Sequence, residues 1–383
     1  MSKLDESSER QPLKLWMETP LIPSIHISNS LGPNHSVYLK LENLQPPQSY
    51  KYRGLSLFVQ HQLAIHGPSL HIICASGGNA GLAAACASQA LGVKCTIFLP
   101  EGVSESTRLF LKRLGAQLII AGEFYLEAVR AAERAVESDK DAVLAPAYDN
   151  PILWKGHASM IDEMKIQLPH SMKPDAIFCS VGGGGLLGGV IVGCKNVGWD
   201  DVPIVALETF GSNCFYQSIM ANRFPSRQVP EGTSVRLDEQ NNVKIAYVHS
   251  LSSRASSLGA SEPSAGVVKF ALERKGGVRC VTIPDELSMQ TALLFAEDHK
   301  MMVELACSTT LSPAYKPSLL ERLVPLPESG AGSSTRTLVF IVCGGFKISG
   351  KEMAEYDQNV RSDIAAGGQW DVMVDGETLT VQK

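Results

Sequence analysis

The chain has 383 residues, of which 44% are hydrophobic and 19% charged, and its formal net charge is −5 at pH 7. This composition is typical of a well-packed globular protein with one large domain or two, and it excludes a disordered chain. A slightly acidic chain without a basic run is not expected to bind nucleic acid, and no apolar run is long enough to span a bilayer.

Short apolar segments typical of strands alternate with longer segments typical of helices along most of the chain. The predicted strands cover residues 37–42, 71–74, 94–99, 117–120, 142–144, 175–181, 203–208, 278–283 and 337–343. The predicted helices cover residues 52–66, 79–91, 106–114, 124–138, 152–168, 186–197, 264–274 and 285–300. Nearly all-apolar strands joined by crossover helices predict an α/β fold with parallel sheets covered on both faces. Ligands of such sheets bind at the carboxyl ends of the strands.

Three segments lack a clear period. Residues 228–257 are polar and rich in turn-forming residues, which predicts a long loop or an insertion at the surface. Residues 325–334 predict a second loop. The tail, residues 351–383, is polar, and we expect it to be peripheral.

The N-terminal residues and the cysteines indicate the cellular compartment in which the protein acts. Residues 1–10 are polar and lack the apolar core of a signal peptide. Most of the nine cysteines stand in apolar strand or helix contexts, as Cys74 and Cys179 do. This pattern predicts reduced, buried thiols in a cytosolic protein rather than a disulfide framework. No Cys-x-x-Cys or His-x-x-x-His spacing indicates zinc.

Lys51 follows the first predicted strand through a polar turn and stands where a helix begins. The positive end of the helix dipole and the neighbouring Arg53 both disfavour the charged form of its amine, so a neutral, nucleophilic lysine is expected. Taken alone, the stretch Ser49-Tyr50-Lys51-Tyr52-Arg53-Gly54 also fits an ordinary surface lysine.

A second motif, Ser76-Gly77-Gly78-Asn79-Ala80, ends one predicted strand and begins the next helix. Helix N-termini offer unpaired N–H groups and a field that favours an anion, here a substrate's carboxylate. A serine before Gly-Gly-Asn is also a good helix cap, and the same atoms can serve both purposes.

A third motif, Gly182-Gly183-Gly184-Gly185, leads from a strand into the helix that begins near Leu186. Consecutive glycines let backbone N–H groups approach a phosphate from several directions. The competing interpretation is a dinucleotide-binding turn. No G-x-G-x-x-G followed by an acidic residue supports it, and the motif lies late in the chain.

These three motifs, in this order, resemble those of the fold type II pyridoxal-phosphate (PLP) enzymes, over about residues 19–348. The usual first motif is Ser-Phe-Lys-x-Arg-Gly, with phenylalanine where this chain has Tyr50. Within that family the chain is most similar to the serine and threonine dehydratases. The resemblance implies a fold like that of tryptophan synthase β: two open, twisted, mainly parallel sheets flanked by helices. Residues 45–148 would form a small domain inserted in a large one, residues 1–44 and 149–350.

The resemblance also implies a role for each motif. Lys51 would hold PLP covalently and remove the substrate's Cα proton. The other residues expected to bind the cofactor are Tyr50, Asn79, Gly182, Gly183, Gly184, Gly185, Leu186, Ser257, Cys343 and Gly344. Those expected to bind the substrate are Ser76, Gly77, Gly78, Asn79 and Ala80.

Cys343 ends the last predicted strand, where members of the family place a hydroxyl or thiol beside the pyridine nitrogen. A neutral partner weakens the electron sink of the ring, which favours prompt loss of a β-leaving group. The alternative is a buried structural cysteine. The family often continues with Gly-Gly-Ser or Gly-Gly-Asn, and Phe346-Lys347 departs from that pattern.

Glu208 follows the strand predicted at residues 203–208. Serine dehydratases use a glutamate there, with nearby carbonyls, to hold a monovalent cation, expected to be potassium. The ligands implied for this chain are Gly182, Glu208, Ser212, Cys214, Leu258 and Ala260. Racemases of the fold have a second acid where Cys214 stands and bind a divalent ion. The alternative for Glu208 is a carboxylate satisfied by N–H groups at a helix start.

The resemblance thus implies a PLP-dependent lyase that converts L-serine into pyruvate and ammonia, and L-threonine into 2-oxobutyrate. It also implies a cytoplasmic homodimer in amino-acid catabolism and gluconeogenesis. Gly77 lacks the hydroxyl that serine racemases use opposite the lysine, and Ala80 replaces their histidine, so racemisation should be weak. The alternatives are another enzyme of the fold, such as a threonine or cysteine synthase, and a non-catalytic binding protein.

Overall fold

The computed structural model describes residues 13–325 and 335–383. The predicted polar N-terminus, residues 1–10, and nearly all of the loop predicted at residues 325–334 lie outside the described residues. The described chain forms two main sheets and a separate hairpin, with helices between the strands. Within the described residues, no helix is both long enough and apolar enough to cross a membrane.

The smaller sheet has four strands, all parallel, in the order β5–β4–β3–β6. These strands are β3 (His71–Cys74), β4 (Lys94–Leu99), β5 (Gln117–Ile120) and β6 (Ala142–Leu144). Its helices are α2 (Lys51–His66), α3 (Asn79–Leu91), α4 (Glu105–Arg113) and α5 (Tyr125–Ser138). All strands of this sheet come from residues that lie inside the predicted small domain, residues 45–148.

The larger sheet has eight strands in the order β1–β2–β12–β7–β8–β11–β13–β14. They are β1 (Leu21–Pro23), β2 (His35–Leu41), β7 (Ala176–Ser180), β8 (Ile204–Thr209), β11 (Val278–Ile283), β12 (Arg336–Val342), β13 (Gln369–Val374) and β14 (Glu377–Gln382). The five central strands are parallel, and β1, β13 and β14 pair antiparallel at the edges. Phe178 and Phe340 are register partners on β7 and β12, and their rings stack 4.1 Å apart in the core.

The remaining helices cover the larger sheet and the cleft between the two sheets. They are α1 (Ile25–Leu31), α6 (Pro151–Gln167), α7 (Gly185–Asn196), α8 (Cys214–Arg223), α9 (Ala265–Glu273), α10 (Asp285–His299), α11 (Leu305–Leu311), α12 (Pro317–Leu323) and α13 (Gly350–Ala365). Helix α6 packs against both α2 and α7, so it links the helix that begins at Lys51 to the one that follows the glycine loop.

The segment 228–257 was predicted to be a long loop or an insertion at the surface, and the loop alternative is wrong. It contains an antiparallel hairpin, β9 (Thr233–Asp238) and β10 (Val243–Val248), which packs on α8. Its turn is closed by Asn241, whose backbone N–H donates to Asp238 Oδ1 at 2.9 Å. The residues of β9 are exposed or partly buried, and most of them are polar. The strand therefore lacks the alternation of apolar and polar residues by which a strand is recognised in a sequence.

The C-terminal residues 351–383 were expected to be a polar, peripheral tail, and no elements were predicted there. The structure has helix α13 and the hairpin β13–β14, which extends the larger sheet beyond β11. Trp370 and Val372 alternate inward along β13, and they are only 4% and 0% exposed. The apolar residues of this hairpin are therefore part of the core, although its strands lie at the edge of the sheet.

Candidate active site

A cleft of about 450 Å³ opens at the carboxyl ends of β3, β7 and β12, between the two sheets. It brings together most of the residues predicted to form the site: Tyr50, Lys51, Ser76, Gly77, Gly78, Asn79, Ala80, Gly182, Gly183, Gly184, Gly185, Leu186, Ser212, Ser257, Leu258, Ala260 and Cys343. Gly344, Glu208 and Cys214 do not line it. Gly344 forms a β-bridge with Ser49, so it lies beside the lysine turn.

Lys51 is the first residue of α2 and lies partly buried in the cleft. Its Nζ donates a long hydrogen bond of 3.5 Å to the carbonyl of Ala147. Burial lowers the pKa of the Lys51 amine, and the charge of Lys347 lowers it further. The backbone N–H of Tyr50 donates to the carbonyl of Cys343 at 3.0 Å, which ties this turn to the end of β12. The cleft therefore favours the neutral, nucleophilic amine.

Arg53 does not play the part that the sequence indicated. Its guanidinium forms hydrogen bonds of 2.7 Å to each carboxylate oxygen of Glu42 and of 2.7 and 2.8 Å to those of Glu163. Lys40 Nζ donates to Glu163 at 2.7 Å. Arg53 therefore anchors α2 to α6. The carboxylates of Glu42 and Glu163 already neutralise the charges of Arg53 and Lys40, so burial rather than Arg53 accounts chiefly for the lowered pKa of Lys51.

His157 on α6 lies beneath the lysine turn, and no sequence motif indicated it. Its ring meets the Tyr50 ring edge-on with centroids 4.8 Å apart. Burial, followed by the charges of Lys51 and Arg53, lowers the pKa of His157 to about 3, so the ring is neutral at physiological pH. A Cβ on Gly54 would lie 2.5 Å from His157 Cε1, so only glycine allows α2 to approach the ring this closely.

The loop before α3 and the first turn of this helix are shaped by close contacts at their glycines. A Cβ on Gly77 would lie 2.5 Å from Val103 Cγ2, and one on Gly81 would lie 1.9 Å from the carbonyl oxygen of Ser76. The Ser76 hydroxyl accepts from the N–H of Gly78 at 3.3 Å. Among the described residues, no side chain caps the start of α3. The N–H groups of its first turn thus remain available to an anion.

Asn79 and Ser257 meet at the buried carboxylate of Glu304. Asn79 Nδ2 donates to Glu304 Oε1 at 2.7 Å, and the Ser257 hydroxyl donates to Glu304 Oε2 at 3.1 Å. Burial raises the pKa of Glu304, although the charge of Lys347 and these two hydrogen bonds oppose the shift. The buried Asn79 Oδ1 has no hydrogen-bond partner within the described part of the chain.

The glycine loop is packed against Tyr148, another residue that the sequence did not indicate. A Cβ on Gly183 would lie 2.4 Å from Tyr148 ring carbons, and one on Gly185 would lie 3.0 Å from Tyr148 Cβ. Gly184 precedes α7 with φ of +98°, a conformation that glycine adopts without strain. The loop therefore forms a concave backbone surface at a helix N-terminus, which suits a phosphate.

Cys343 follows β12 and is 5% exposed. Its Sγ lies 3.5 Å from the hydroxyl of Ser180, which ends the neighbouring strand β7. Both groups line the cleft. The structure thus places a thiol and a hydroxyl side by side, and the sequence indicated only the thiol.

The expected cation ligands lie together behind the glycine loop. Glu208 accepts from the N–H groups of Phe215 and Tyr216 at 3.0 and 2.6 Å, as in the alternative that treated it as a helix-start carboxylate. Burial raises the pKa of Glu208, against the effect of these two bonds. The Ser212 hydroxyl donates to the Leu258 carbonyl at 2.7 Å, and Cys214 Sγ lies 3.7 Å from the Gly182 carbonyl. Within residues 13–325 and 335–383, no group of three or more His, Cys, Asp or Glu could hold a metal ion.

Comparison with known proteins shows the family to which this chain belongs. A model of the family described as pyridoxal-phosphate dependent enzyme matches residues 13–344. The chain belongs to this family, and the predicted fold type II architecture is confirmed.

Individual relatives show which members of this family the chain resembles. The chain is 36% identical to human "Serine dehydratase-like" over 91% of this chain and 95% of that protein. It is also 36% identical to human "L-serine dehydratase/L-threonine deaminase" over 88% and 92% of the two chains. Among solved structures it resembles a fungal L-serine ammonia-lyase from Rhizomucor miehei, with a TM-score of 0.77 and 31% identity, covering 90% of this chain and 99% of that one.

The residues of the cleft fit PLP. The orphaned Asn79 Oδ1 offers a polar contact, and the absence of a side chain at Gly183 lets the loop pack directly on the Tyr148 ring. Lys51 supplies an amine whose lowered pKa suits a covalent link to an aldehyde. The cleft therefore holds together an amine, a concave backbone loop and an unpartnered polar atom, the kinds of group that a PLP site needs.

Proposed function

We propose that this chain catalyses the PLP-dependent β-elimination of L-serine to pyruvate and ammonia, and that it also converts L-threonine into 2-oxobutyrate. The observation that carries the proposal is the position of Lys51, whose amine shares one cleft with the uncapped start of α3 and with the glycine loop. The names of the relatives support the same reaction.

The cofactor would be held by residues of both sheets. Lys51 would form the covalent link, the loop from Gly182 to Gly185 would hold the phosphate, and Tyr50 and Ser257 would flank the ring. Asn79 would face the phenolic oxygen. Cys343, with Gly344 beside it, would lie on the side of the pyridine nitrogen. When bound, PLP supplies an electron sink that acidifies the substrate's Cα–H bond.

The protein's own groups would then carry the proton and hold the substrate. Ser76, Gly77, Gly78, Asn79 and Ala80 would bind the carboxylate with the N–H groups at the start of α3. Lys51 Nζ would take the Cα proton, and the β-hydroxyl would leave as water. The released 2-aminoacrylate takes up water and gives pyruvate and ammonia, so the net change is serine to pyruvate plus ammonia.

The stereochemical outcome follows from one missing hydroxyl. Gly77 has no side chain, and Val103 occupies the space that its Cβ would need. Ala80 adds no donor either. With Lys51 as the base on one face, the enzyme should form very little D-serine.

We also propose a monovalent cation, potassium, at the cluster behind the glycine loop. One buried carboxylate, Glu208, would be joined there by neutral oxygen or sulfur atoms. The other ligands would be Gly182, Ser212, Cys214, Leu258 and Ala260. The support is the close packing of these groups: the Ser212 hydroxyl donates to the Leu258 carbonyl at 2.7 Å, and Cys214 Sγ lies 3.7 Å from the Gly182 carbonyl.

Three further properties complete the proposal. The two sheets would mark two domains, residues 45–148 and residues 1–44 with 149–350, followed by the segment 351–383. The protein would be a homodimer and would act in the cytoplasm, which agrees with the free state of all its cysteines.

The test is the visible absorption spectrum of the protein reconstituted with PLP. We expect a band of lysine-bound cofactor in the wild type and its loss in Lys51→Ala, with an unchanged far-ultraviolet circular dichroism spectrum. The same band in the folded variant would refute Lys51 as the anchor.

A further inference from the structure

Lys347 is a second lysine in the cleft, and the proposed reaction gives it no role. It follows the turn after β12, where the sequence departs from the usual family pattern. Its Nζ has one long hydrogen bond, 3.4 Å to the Ser256 hydroxyl. Across residues 13–325 and 335–383, no salt bridge neutralises Lys347. The structure thus holds a cation at the cleft without an ionic partner among these residues.

The side chain of Lys347 reaches from the larger sheet to the start of α3 on the smaller one. A Cβ on Gly78 would lie 2.7 Å from Lys347 Cε and 3.0 Å from its Nζ. The same Cβ would lie 3.9 Å from the Ser76 hydroxyl. The ammonium therefore lies directly over the loop that offers N–H groups to an anion, and glycine at position 78 makes room for it.

The charges in the cleft favour an anion beside Lys347. The loop residues Ser76 to Ala80 carry no charge of their own, so an anion there would meet only neutral donors without Lys347. Beside the larger effect of burial, the charge of Lys347 lowers the pKa of both Lys51 and Glu304, as expected of a cation close to the cleft.

We propose that Lys347 is a specificity-determining residue whose ammonium pairs with the α-carboxylate of the amino-acid substrate. This inference rests on the proposed function, because that function places the substrate's carboxylate at the start of α3. The pair adds a charge-assisted hydrogen bond to the neutral donors of the helix, and such bonds are stronger than neutral ones. It also joins the two sheets through the substrate.

The kinetic test replaces Lys347 by methionine, which keeps the length of the side chain and removes its charge. We expect KM for L-serine to rise about tenfold or more, while kcat changes by less than about threefold, because a ground-state contact is lost. Selectivity for L-serine over its methyl ester should fall by a similar factor. Lys347→Arg keeps the charge and should restore part of the affinity.

Lys351→Met is the matched control, because Lys351 is exposed on α13 and lines only the neighbouring outer groove. It should leave both constants unchanged, which excludes a general effect of surface charge. An unchanged KM in Lys347→Met, or an equal loss for serine and its ester, would overturn the proposal. The proposal would also be wrong if Lys347→Met weakened only the inhibition of the enzyme by L-aspartate. Lys347 would then bind the side-chain carboxylate of an acidic amino acid and not the α-carboxylate of the substrate.

Calorimetry with L-alanine separates this proposal from the proposed reaction, since alanine has a carboxylate but no β-leaving group. If the enzyme does not turn over serine, weaker binding of alanine to Lys347→Met than to wild type still supports carboxylate recognition. Equal affinities overturn it.

Discussion

Arg53→Met should cost about 3–5 kcal/mol of the free energy of unfolding, the usual cost of breaking a buried ion pair. The Arg53 and Glu42 side chains are both fully buried, and Glu163 is 7% exposed. Methionine removes the four short hydrogen bonds to these two carboxylates and leaves the buried Lys40 paired with Glu163, while Glu42 loses its ion pair. Small domains are stable by about 5–15 kcal/mol, so the loss is a large fraction of the total.

Urea unfolding followed by tryptophan fluorescence measures this loss. Arg361→Met is the control, because the Arg361 side chain is 78% exposed and its one ion pair within the described residues is with Asp357. This variant should change stability by less than about 0.5 kcal/mol. Adding Glu42→Gln to Arg53→Met should recover part of the loss, since one uncompensated charge disappears. A loss below about 1 kcal/mol for Arg53→Met would refute this account of the network.

The pH dependence of the same variant gives a second check. Burial would raise the pKa of Glu163, but the hydrogen bonds and charges of Arg53 and Lys40 outweigh it, so this pKa is lowered in the folded state. The stabilisation is therefore present above the unfolded pKa, about 4.3, and is lost as the pH falls through the folded value. The difference between wild type and Arg53→Met should shrink in that acidic range.

Three other predictions address the cofactor, the cation and the stereochemistry. Gly183→Ala should weaken PLP binding about tenfold or more in a fluorescence titration, because the new methyl group overlaps the Tyr148 ring; unchanged affinity would contradict the phosphate cradle. Potassium should raise the melting temperature more at pH 8 than at pH 5, because burial raises the pKa of Glu208 and only its ionised form attracts the ion. Glu208→Gln should abolish this effect of potassium. Equal stabilisation by a large organic cation would argue against the site. Gly77→Ser should lower the rate with L-serine, since its Cβ overlaps Val103, and should permit some D-serine formation when combined with Val103→Ala; substantial D-serine from the wild type, measured by chiral chromatography, would disprove the argument from Gly77.

The sequence predicted several strands of both sheets, and one helix, with the bounds that the structure has. The strands at His71–Cys74, Lys94–Leu99 and Val278–Ile283 and the helix at Asn79–Leu91 have the predicted bounds. Their continuous apolar runs end in glycine or proline turns, so pattern and boundary agree. The hairpins β9–β10 and β13–β14 were missed because strands exposed on one face carry half as much apolar signal.

The residues of the site also fall into two groups. A local sequence motif indicates some of them, and only the tertiary structure brings the others into place. Its three motifs are contiguous in the sequence, and their glycines and lysine could be found there. Ser180 and Tyr148 reach the cleft, and His157 reaches the ring of Tyr50, from separate parts of the chain, and no local pattern distinguishes them from core residues. Lys347 was visible only as a departure from the family pattern, and its place over Gly78 depends on how the two sheets approach each other.

The central claim is that Lys51 drives β-elimination from L-serine, and the most direct test is to measure both products for wild type and Lys51→Ala. Wild type with PLP and potassium should release pyruvate and ammonia in equal amounts without an added thiol. Lys51→Ala, folded as judged by circular dichroism, should release neither. Near-normal pyruvate formation by this variant, or none from the PLP-loaded wild type, would contradict the account.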